Sequence, residues 1–442
     1  MSRVIKLPNN WEPRSDQMKL WHYLQSGGKR AIEIAHRRWG KDDVALHNAA
    51  CQAMQRPGNY WHMLPEYGQA RKAIWDAINP RTGKRRIDEA FPEGIRSGFR
   101  TQDMMIKLKS GSTWQLIGSD NYNSLVGTPP VGITLSEYAI ADPRSWNYLR
   151  PILAENNGWA VFITTPRGKN HAYDLFQYAK GDNDWFSQLT TVDDSNVFTK
   201  EQLAQELAEL ISEMGEEEGT AFFRQEYYCS FEGAICGSYY GSQMEAAAAE
   251  GRITNVPYDA NLPVITAWDL GVGDATGIWF FQVYATEVRV IDYYETSGEG
   301  LQYYAKYLAG KPYVYSQHIM PHDIRVRELG TGKSRYETAE RLGIKPISIC
   351  PSLPVDDGIN AVRSVLTKCY FDKKRCAQGI ESLRSYHKVY DDKRREYKNT
   401  PYHDWTSHAA DAFRMFAVGH KERPKTRSVS AMMESIKFKG VW

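Results

Sequence analysis

The sequence predicts an α/β protein built from two successive sheets. Between residues 31 and 164, short apolar runs alternate with amphipathic stretches, as expected for a mostly parallel sheet that helices cover on both faces. A helical pattern follows from residue 171, and a second set of apolar runs starts at residue 264. At 442 residues the chain is long enough for two or three domains, each with its own hydrophobic core.

Strands of the first sheet are predicted where short, near-continuous apolar runs lie between turn residues. These runs span 31–35, 60–64, 131–135 and 159–164. Two further runs, 104–108 and 113–117, flank Ser110-Gly111 and predict a hairpin. Helices are predicted at 42–54 and 69–78, so the first half has a three-layer α/β pattern.

The helical segment after residue 171 contains a capping box formed by Thr199 and Gln202. An apolar stripe then continues along one face through Leu203, Leu207, Leu210, Ile211 and Met214. The second sheet is predicted to open with three consecutive strands at 264–268, 277–284 and 288–293. A helix at 406–418 closes the globular part of the chain.

Composition argues against a membrane protein and does not by itself identify a partner. Hydrophobic residues make up 42%, and no apolar run approaches the ~20 residues that span a bilayer, nor does the N-terminus show a signal-peptide core. Lys and Arg total 55 against 53 Asp and Glu, a net charge of +2, so nucleic-acid contacts would depend on local basic patches. Such patches lie at 81–86, 373–375, 393–398 and after His420, and a solvated protein face is the alternative interpretation of each. The six cysteines lack Cys-x-x-Cys spacing and predict free thiols.

A nucleotide-binding pattern lies at the end of the first predicted strand. A phosphate-binding loop usually reads G-x-x-x-x-G-K-[ST] between a strand and a helix. The corresponding residues are Ala35, His36, Arg37, Arg38, Trp39, Gly40, Lys41 and Asp42. Gly40 lets the backbone approach a phosphate, Lys41 supplies positive charge, and the amides at the helix start face the anion. The pattern therefore predicts that residues 35–42 bind ATP.

The partner of this loop is predicted at the end of the 131–135 strand, where Ser136 and Glu137 follow. Such a strand normally ends in two acids, of which the first holds magnesium and the second polarises the attacking water. Here Ser136 replaces the first acid, and Asp42 replaces the usual Ser or Thr of the loop. One explanation is that hydroxyl and carboxylate have exchanged places around one magnesium ion; the alternative is a decayed site. Because Lys41 and Glu137 are both present, we favour the exchange.

Three aspartates in the second half predict a metal-dependent nuclease. Asp269 ends the first strand of the second sheet, Asp323 ends a later apolar run, and Asp411 lies on the closing helix, one turn after His408. RNase H-like nucleases place carboxylates around two Mg²⁺ or Mn²⁺ ions, one of which activates water while the other stabilises the leaving oxygen. The pattern therefore predicts an RNase H-like nuclease domain, with the alternative that Asp269 only begins a turn.

Other residues compete for places in this site. Asp292, also at a predicted strand end, is a rival to Asp323 as the second acid. Asp404 is either a fourth acid or the N-cap of the closing helix. His318 and His322 could bind a transition metal, but no third soft ligand lies nearby in the sequence, which disfavours that interpretation.

A family resemblance is carried by stretches in a fixed order along the chain. They are Met63-Leu64-Pro65 with Gln69-Ala70, Gly118-Ser119-Asp120-Asn121, Ser124-Leu125 with Gly127, Ile163 to Gly168, and Phe223-Arg224-Gln225-Glu226-Tyr227. Together they resemble the large terminase subunit of tailed bacteriophages, an ATP-driven DNA-packaging motor. The resemblance implies that the last stretch ends a lid subdomain. It also implies a motif that couples hydrolysis to movement, formed by Thr164, Thr165, Pro166, Arg167 and Gly168.

The sequence departs from this family at a candidate trans-acting arginine finger. Val126 stands where many relatives have that arginine, whose contribution can reach ~10³–10⁵ in rate. Replacements are available at Arg37, Arg38, Arg144 and Arg150. Arg14 and Gln17 resemble the family's adenine-reading segment, and a surface helix is the alternative interpretation.

The patterns and the resemblance together divide the chain into five parts. They are an ATPase core at 1–170, a helical lid at 171–235, a linker at 236–262, an RNase H-like nuclease domain at 263–420 and a basic tail at 421–442.

The resemblance implies double-stranded DNA as substrate, ATP with magnesium as cofactor, and no membrane partner. It also implies a homo-oligomeric ring that docks on the portal of a procapsid, a small terminase subunit as partner, and a location in the host cell cytoplasm but not in the mature virion. Alternatives are a non-viral helicase-like repair ATPase with a nuclease domain, and a DNA-binding scaffold with a relic nucleotide site.

Overall fold

The computed structural model describes residues 11–119, 129–232, 237–271, 275–327, 332–391 and 396–420. Two compact units are present: Met1–Glu245 with Leu383–Trp405, and Ala246–Ser382 with Thr406–Trp442. The expectations for Val126, for the stretches at 120–127 and for the tail at 421–442 concern residues outside the described ones.

The helices follow the predicted pattern, with several short additions. They are α1 (Met18–Gln25), α2 (Lys41–Gln55), α3 (Tyr67–Ala70), α4 (Arg86–Ala90), α5 (Arg144–Glu155), α6 (His171–Lys180), α7 (Val192–Ser195), α8 (Lys200–Met214), α9 (Glu216–Tyr228), α10 (Gly241–Ala249), α11 (Leu301–Ala309), α12 (Arg335–Arg341), α13 (Val355–Leu366), α14 (Ala377–Ser385) and α15 (Ser407–Gly419). A π-helical turn, Arg71–Trp75, continues α3 and ends before the expected 69–78 helix would.

The strands form two large sheets and one hairpin. They are β1 (Arg30–Ala35), β2 (Asn59–Leu64), β3 (Arg96–Arg100), β4 (Met105–Leu108), β5 (Thr113–Gly118), β6 (Pro130–Ser136), β7 (Trp159–Thr164), β8 (Trp185–Thr190), β9 (Ile253–Thr254), β10 (Val264–Asp269), β11 (Ala275–Tyr284), β12 (Glu287–Ser297), β13 (Tyr315–Met320), β14 (Ile347–Ile349), β15 (Cys369–Asp372), β16 (Lys388–Asp391) and β17 (Glu396–Pro401).

The first sheet has the strand order β3-β4-β5-β2-β6-β7-β1-β8. From β5 to β8 every neighbouring pair is parallel, whereas β3, β4 and β5 pair antiparallel at one edge. β7 lies between β1, which leads into the phosphate loop, and β6, which ends in Ser136. An additional strand between these two defines the ASCE type of P-loop ATPase fold, so the fold predicted for the first half is confirmed.

Hydrophobic burial on both faces explains why the central strands are continuous apolar runs. In β1, Ala31 and Ala35 pack into one core, while Ile32 and Ile34 pack into the core on the opposite face. Each fully buried isoleucine contributes on the order of 1.5–3 kcal/mol relative to an exposed one. The sheet is thus a stable base that holds the ends of β1, β6 and β7 side by side.

The helical segment after this sheet has the predicted capping box. The Gln202 amide N–H donates to Thr199 Oγ1 at 3.2 Å, and the Thr199 N–H donates to Gln202 Oε1 at 2.9 Å. The start of α8 is therefore fixed by two reciprocal hydrogen bonds. The apolar stripe of α8 packs against a small core that contains Val192, Phe223 and Tyr227.

The second sheet has the strand order β14-β13-β10-β11-β12-β15-β9. β10, β11 and β12 pair antiparallel in succession, and β13 and β14 join them in parallel. The run β12-β11-β10-β13-β14 is the strand order of RNase H-like folds, so the fold predicted for the second half is also confirmed. β15 and β9 extend the sheet beyond β12.

Helix α15 packs closely on the second sheet. The Trp279 indole N–H donates to the Ala409 carbonyl at 2.8 Å, and the rings of Phe281 and Phe416 stack with centroids 3.8 Å apart. A Cβ at Gly277 would lie 3.0 Å from the carbonyl oxygen of His408, so glycine permits this approach. Because Gly277 is the cross-strand neighbour of Asp269, the first turn of α15 lies beside the end of β10.

Residues 236–262, expected to form a linker, contain α10 and β9, and β9 pairs with β15 at the edge of the second sheet. Conversely, residues 383–405 belong to the first unit. There the Tyr402 hydroxyl donates to Glu66, and the Trp405 indole N–H donates to the Ile140 carbonyl at 3.2 Å. The chain therefore crosses between the two units more than once.

In the described ranges, no helix has the length and apolar character needed to cross a membrane. The cysteines in the described part of the chain carry free thiols, at positions 51, 229, 350, 369 and 376. Cys236 lies outside the described residues.

Candidate functional site

The phosphate loop joins β1 to α2 through two residues with positive φ. Arg38 has a φ of 67° and Gly40, the N-cap of α2, has a φ of 86°. Glycine is the residue that adopts this left-handed conformation most readily. The turn directs the unpaired amides of the first turn of α2 toward the loop. The loop thus has the strand–loop–helix geometry that suits a phosphate.

Lys41 lies across this loop and is only 7% exposed. Its Nζ donates to Thr165 Oγ1 at 2.9 Å and to the carbonyls of Ala35 and His36 at 3.3 and 3.4 Å. All three acceptors are neutral. A phosphate oxygen would offer the ammonium a stronger, charge-assisted hydrogen bond.

Arg14 and Gln17 contact the loop from the turn that precedes α1. Gln17 Nε2 donates to the Trp39 carbonyl at 2.9 Å, and Arg14 Nη2 donates to the same oxygen at 2.7 Å. Gln17 is buried, so it is not a surface residue of the helix. These two side chains hold the backbone of the loop, and their role in reading adenine stays a prediction.

Asp42 and Ser136 meet at the point where α2 approaches the end of β6. Ser136 Oγ donates to Asp42 Oδ1 at 2.7 Å, although 94 residues separate them in sequence. A carboxylate and a hydroxyl at one point are hard oxygen ligands of the kind that Mg²⁺ prefers. The residues present therefore fit a magnesium ion at the nucleotide.

Two positively polarised groups surround the Asp42 carboxylate. His62 Nε2 lies 3.1 Å from Asp42 Oδ1, and Arg86, which pairs with Asp43 at 2.8 Å, adds its charge from the other side. Burial alone would raise the pKa of Asp42, but the hydrogen bond from His62 and the charge of Arg86 outweigh burial and hold it well below its ordinary value. Asp42 is therefore ionised at neutral pH. The sequence did not single out His62, and it placed Arg86 only in a basic patch.

Glu137 follows β6 directly and has left-handed backbone angles, φ 51° and ψ 43°. This conformation costs a non-glycine residue on the order of 1 kcal/mol or more, and such strain is concentrated at functional sites. Among the described residues, no group donates a hydrogen bond to its carboxylate. A carboxylate without such a donor can accept a hydrogen bond from water.

The residues at the end of β7 contact both the loop and the turn after Glu137. Thr165 Oγ1 accepts from Lys41 and donates to the Ala35 carbonyl at 3.2 Å. Thr164 Oγ1 accepts from the Ala139 N–H at 3.1 Å. The predicted coupling motif, Thr164 to Gly168, therefore lies between the group that would bind phosphate and the strand that carries the acid.

Glu226 lies on α9, in the predicted lid, and contacts both the loop and the residues that follow β7. Its carboxylate pairs with Arg167 of the predicted coupling motif and lies 3.6 Å from Arg37 of the loop, and its carbonyl accepts from the Arg37 N–H at 2.8 Å. Burial would raise the pKa of Glu226, but the charges of Arg167 and Arg37 outweigh burial and lower it. The sequence placed Glu226 in a stretch that ends the lid but assigned it no role.

The four arginines considered as replacements for the missing finger differ in their surroundings. Arg37 pairs with Glu226, and Arg144 pairs with Asp142 at 2.7 Å. Arg38 and Arg150 are exposed. Position 126 itself lies outside the described residues, so the choice among the four stays open.

In the second unit, Asp269 and His408 are brought together from β10 and α15. His408 Nδ1 lies 3.3 Å from Asp269 Oδ2. His408 is almost buried, whereas the Asp269 side chain is 28% exposed. The imidazole orients this carboxylate at the carboxyl end of β10, where an ion and a substrate can reach it.

Asp323 and Asp411 lie on different elements of the second unit. Asp323 is not at the end of β13, as predicted, but in a helical turn, His322–Arg325, that follows it; its Oδ1 is buried and has no hydrogen-bond partner within the described residues. Asp411 lies on α15, and its Oδ1 is 3.0 Å from Arg414 Nη2. No three His, Cys, Asp or Glu side chains in the described part of the chain are grouped as a metal cluster. The metal role of Asp269, Asp323 and Asp411 therefore stays a prediction, which the orphaned oxygen of Asp323 favours.

The rival residues have other partners. Asp292 lies inside β12, not at its end, where its Oδ2 accepts from Lys311 at 2.7 Å and from the Tyr313 hydroxyl at 3.2 Å. The N-cap of α15 is Thr406 and not Asp404. His318 is buried, with its Nδ1 2.7 Å from Thr266 Oγ1, and burial lowers its pKa to about 4. Asp292 and His318 thus have protein hydrogen-bond partners that account for their positions without a metal ion.

Fold and site together define a class of protein: a P-loop ATPase-type fold joined to an RNase H-like fold in one chain. No protein-family profile matches the sequence. Over 175 residues the chain is 26% identical to the large terminase subunits of Thermus phage G20c and Thermus virus P23-45; the match covers 35% of this chain and 36% of each relative. Among solved structures, the large terminase of a thermophilic bacteriophage is similar with a TM-score of 0.41 and 16% identity, covering 91% of this chain and 98% of that one.

The curated relatives confirm the resemblance to large terminase subunits that the motifs predict. The chain spans about a third of the length of the curated relatives it matches. The activity, substrates and partners of the whole protein are accordingly matters of proposal.

Proposed function

We propose that this chain is a large terminase subunit: an ATP-driven motor that moves double-stranded viral DNA into a procapsid and a metal-dependent endonuclease that cuts concatemeric DNA. The observation that carries the proposal is the hydrogen bond between Ser136 and Asp42. It brings the helix of the phosphate loop and the acidic strand to one point, as ATP hydrolysis requires.

In the ATPase unit, each side chain has a distinct role. Asp42 and Ser136 would hold Mg²⁺, which when bound neutralises charge on the β- and γ-phosphates. Lys41 exchanges the loop carbonyls for phosphate oxygens, and Glu137 orients the attacking water. Because Lys41 Nζ donates to Thr165, movement of the ammonium toward a phosphate would break this hydrogen bond and so change a contact of the proposed coupling motif.

In the nuclease unit, Asp269, Asp323 and Asp411 would hold divalent ions, which when bound supply an activated water and stabilise the leaving oxygen. His408 orients the Asp269 carboxylate. The buried Oδ1 of Asp323 lacks a hydrogen-bond partner in the described structure, and a divalent ion would satisfy it. An ion at Asp411 would compete with Arg414 for the carboxylate.

The partners follow from the resemblance alone. They are a homo-oligomeric ring on the portal of a procapsid, a small terminase subunit and duplex DNA, in the host cell cytoplasm. Hydrolysis would take place in the ring, where one of the candidate arginines would serve a neighbouring subunit.

The test is to measure ATP hydrolysis with and without duplex DNA, and cleavage of that DNA in Mg²⁺ or Mn²⁺. We expect DNA to stimulate hydrolysis, Lys41→Ala to remove hydrolysis but not cleavage, and Asp269→Asn to do the reverse. No hydrolysis by the unaltered chain would favour the scaffold with a relic site. Separation of the strands of a labelled partial duplex would favour the helicase-like alternative.

A further inference from the structure

We propose that the turn between β15 and α14, formed by Lys373, Lys374 and Arg375, binds the phosphate backbone of the duplex that the nuclease unit cuts. The proposal rests on the proposed function for DNA as the substrate. It assigns a role to a basic patch that neither the motifs nor the nuclease carboxylates account for.

The backbone of this turn is held rigidly by one buried acid. Asp372 Oδ1 accepts from the amides of Lys374 and Arg375 at 3.1 and 2.8 Å, and its Oδ2 accepts from the Val256 amide at 3.0 Å. The Lys373 amide donates to the Thr254 carbonyl at 2.7 Å. Since the backbone of the turn is already ordered, it loses little conformational entropy when a ligand binds the side chains.

The charges of the turn face outward. Lys373, Lys374 and Arg375 are all exposed, whereas Asp372 is 5% exposed and directs its oxygens to backbone amides. Arg375 Nη1 also donates to the Tyr313 hydroxyl at 3.4 Å, which restricts its position. The turn therefore presents three consecutive cations on a fixed backbone, with its one acid turned inward.

The position of these cations is unfavourable for folding. They directly precede α14, whose first turn contains no acidic residue. The N-terminus of a helix is its positive end, so further positive charges there are repelled by the helix dipole. The single carboxylate of Asp372 offsets part of this repulsion among three cations, and a bound polyanion would offset more of it. Phosphate groups are therefore the matching ligand.

The turn lies at a suitable distance from the nuclease carboxylates. β10, β12 and β15 run in the same direction, so their carboxyl ends, with Asp269 and Lys373, point the same way. Three strand spacings separate β10 from β15, ~14 Å across the sheet, and the register places Lys373 about three residues, ~10 Å, behind the level of Asp269 along the strands. Since phosphates of one strand are ~3.4 Å apart along the duplex axis, the resulting separation of ~17 Å is roughly five base-pair steps. A duplex cut at Asp269 would reach the turn.

The experiment is to measure binding of a labelled DNA duplex by fluorescence anisotropy over a series of salt concentrations. The variant is Lys373→Ala with Lys374→Ala. The matched control is Lys306→Ala with Lys345→Ala, which removes the same charge from exposed lysines outside the turn. All proteins are compared in full length, and their thermal unfolding is recorded.

We expect the log–log salt slope of the variant to be shallower by about 1.8, because each lost phosphate contact removes about 0.9. Affinity at ~0.1 M salt should fall roughly tenfold for each lysine, while the control keeps the slope of the unaltered chain. If the double variant unfolds, Lys374→Gln alone should reduce the slope by about 0.9.

Two failures are distinguishable. If the variant and the control share the slope of the unaltered chain, and that chain binds and cuts DNA, the turn is not a phosphate site and the proposed function stands. If the unaltered chain neither binds nor cuts duplex DNA, the proposed function fails, and the role of the turn fails with it.

Discussion

Ser136 donates a hydrogen bond of 2.7 Å to the Asp42 carboxylate, between the end of β6 and the first turn of α2. In the usual arrangement the hydroxyl belongs to the loop and the carboxylate to the strand. One of each therefore lies at the same point here, as the proposed exchange around one magnesium ion predicts. The two departures from the motif are therefore one feature, and the pair can be tested as a unit.

Asp42→Ala should abolish ATP hydrolysis, because Ser136 alone cannot neutralise the ion. Asp42→Thr combined with Ser136→Asp should restore part of the activity, since it returns the carboxylate to the strand and the hydroxyl to the loop. Steady-state phosphate release by the single and double variants, at saturating Mg²⁺ and ATP, measures both effects.

Asp43→Ala is the control for this pair, because Asp43 lies in the same turn but pairs with Arg86. It should retain most of the hydrolysis. Full activity in Asp42→Ala, or a double variant no better than the worse single one, would show that the two residues do not serve one ion.

Glu137→Gln should bind ATP and fail to hydrolyse it. The amide is nearly isosteric but does not polarise water as a carboxylate does, so turnover should fall by roughly 10² or more. Lys41→Ala should lose binding instead, because the charge that contacts the phosphates is removed. Equilibrium binding of a fluorescent ATP analogue, set beside turnover, separates the two; normal turnover in Glu137→Gln would remove Glu137 from the mechanism.

The fold was predictable because its signals are local. Apolar runs such as 159–164 predict buried parallel strands, and Thr199 with Gln202 predicts the start of α8. The ends of β1, β6 and β10 then locate Lys41, Glu137 and Asp269. What each of these residues contacts across the sheet was not predictable in the same way.

Contacts made across long sequence distances carry no local pattern. Glu226 reaches Arg167 from 59 residues away, and His62 reaches Asp42 through the pairing of whole strands and helices. A single Glu in a helix or His in a strand looks like any other until the fold is known. Asp292 shows the same limit, since its place near an apolar run makes it a rival to Asp323, and its contacts with Lys311 and Tyr313 become visible only in the fold.

Glu226→Gln should destabilise the first unit by about 1–2 kcal/mol near neutral pH, because two arginines lose a buried partner. The loss is no larger because Arg37 is nearly half exposed, so solvent screens its pairing with Glu226. The pKa of Glu226 is lowered in the folded state from an ordinary value of 4.5. Its stabilisation is therefore complete above pH ~4.5 and is lost as the pH falls through the lowered folded pKa. Denaturant unfolding at pH 7 and at successively lower pH should show the difference from the unaltered chain shrink.

Glu213→Gln, an exposed glutamate at the end of α8, is the control and should change stability little at any pH. An equal loss of unfolding free energy in both variants would mean that the ion pairs of Glu226 with Arg37 and Arg167 contribute nothing specific to stability.

Asp269→Asn, Asp323→Asn and Asp411→Asn should each reduce Mg²⁺- or Mn²⁺-dependent cleavage by about 10² or more and leave ATP hydrolysis near normal. Removing one carboxylate misplaces at least one ion, while the ATPase core belongs to the other unit. Asp292→Asn should instead keep cleavage and lower stability by about 1–3 kcal/mol, because Lys311 loses a buried partner. Cleavage of supercoiled plasmid and thermal unfolding measure the two outcomes. Asp323 is favoured as the second acid because its Oδ1 lacks a hydrogen-bond partner among the described residues, while Asp292 has two partners. Normal cutting by Asp323→Asn, together with loss of cutting in Asp292→Asn, would reverse this assignment.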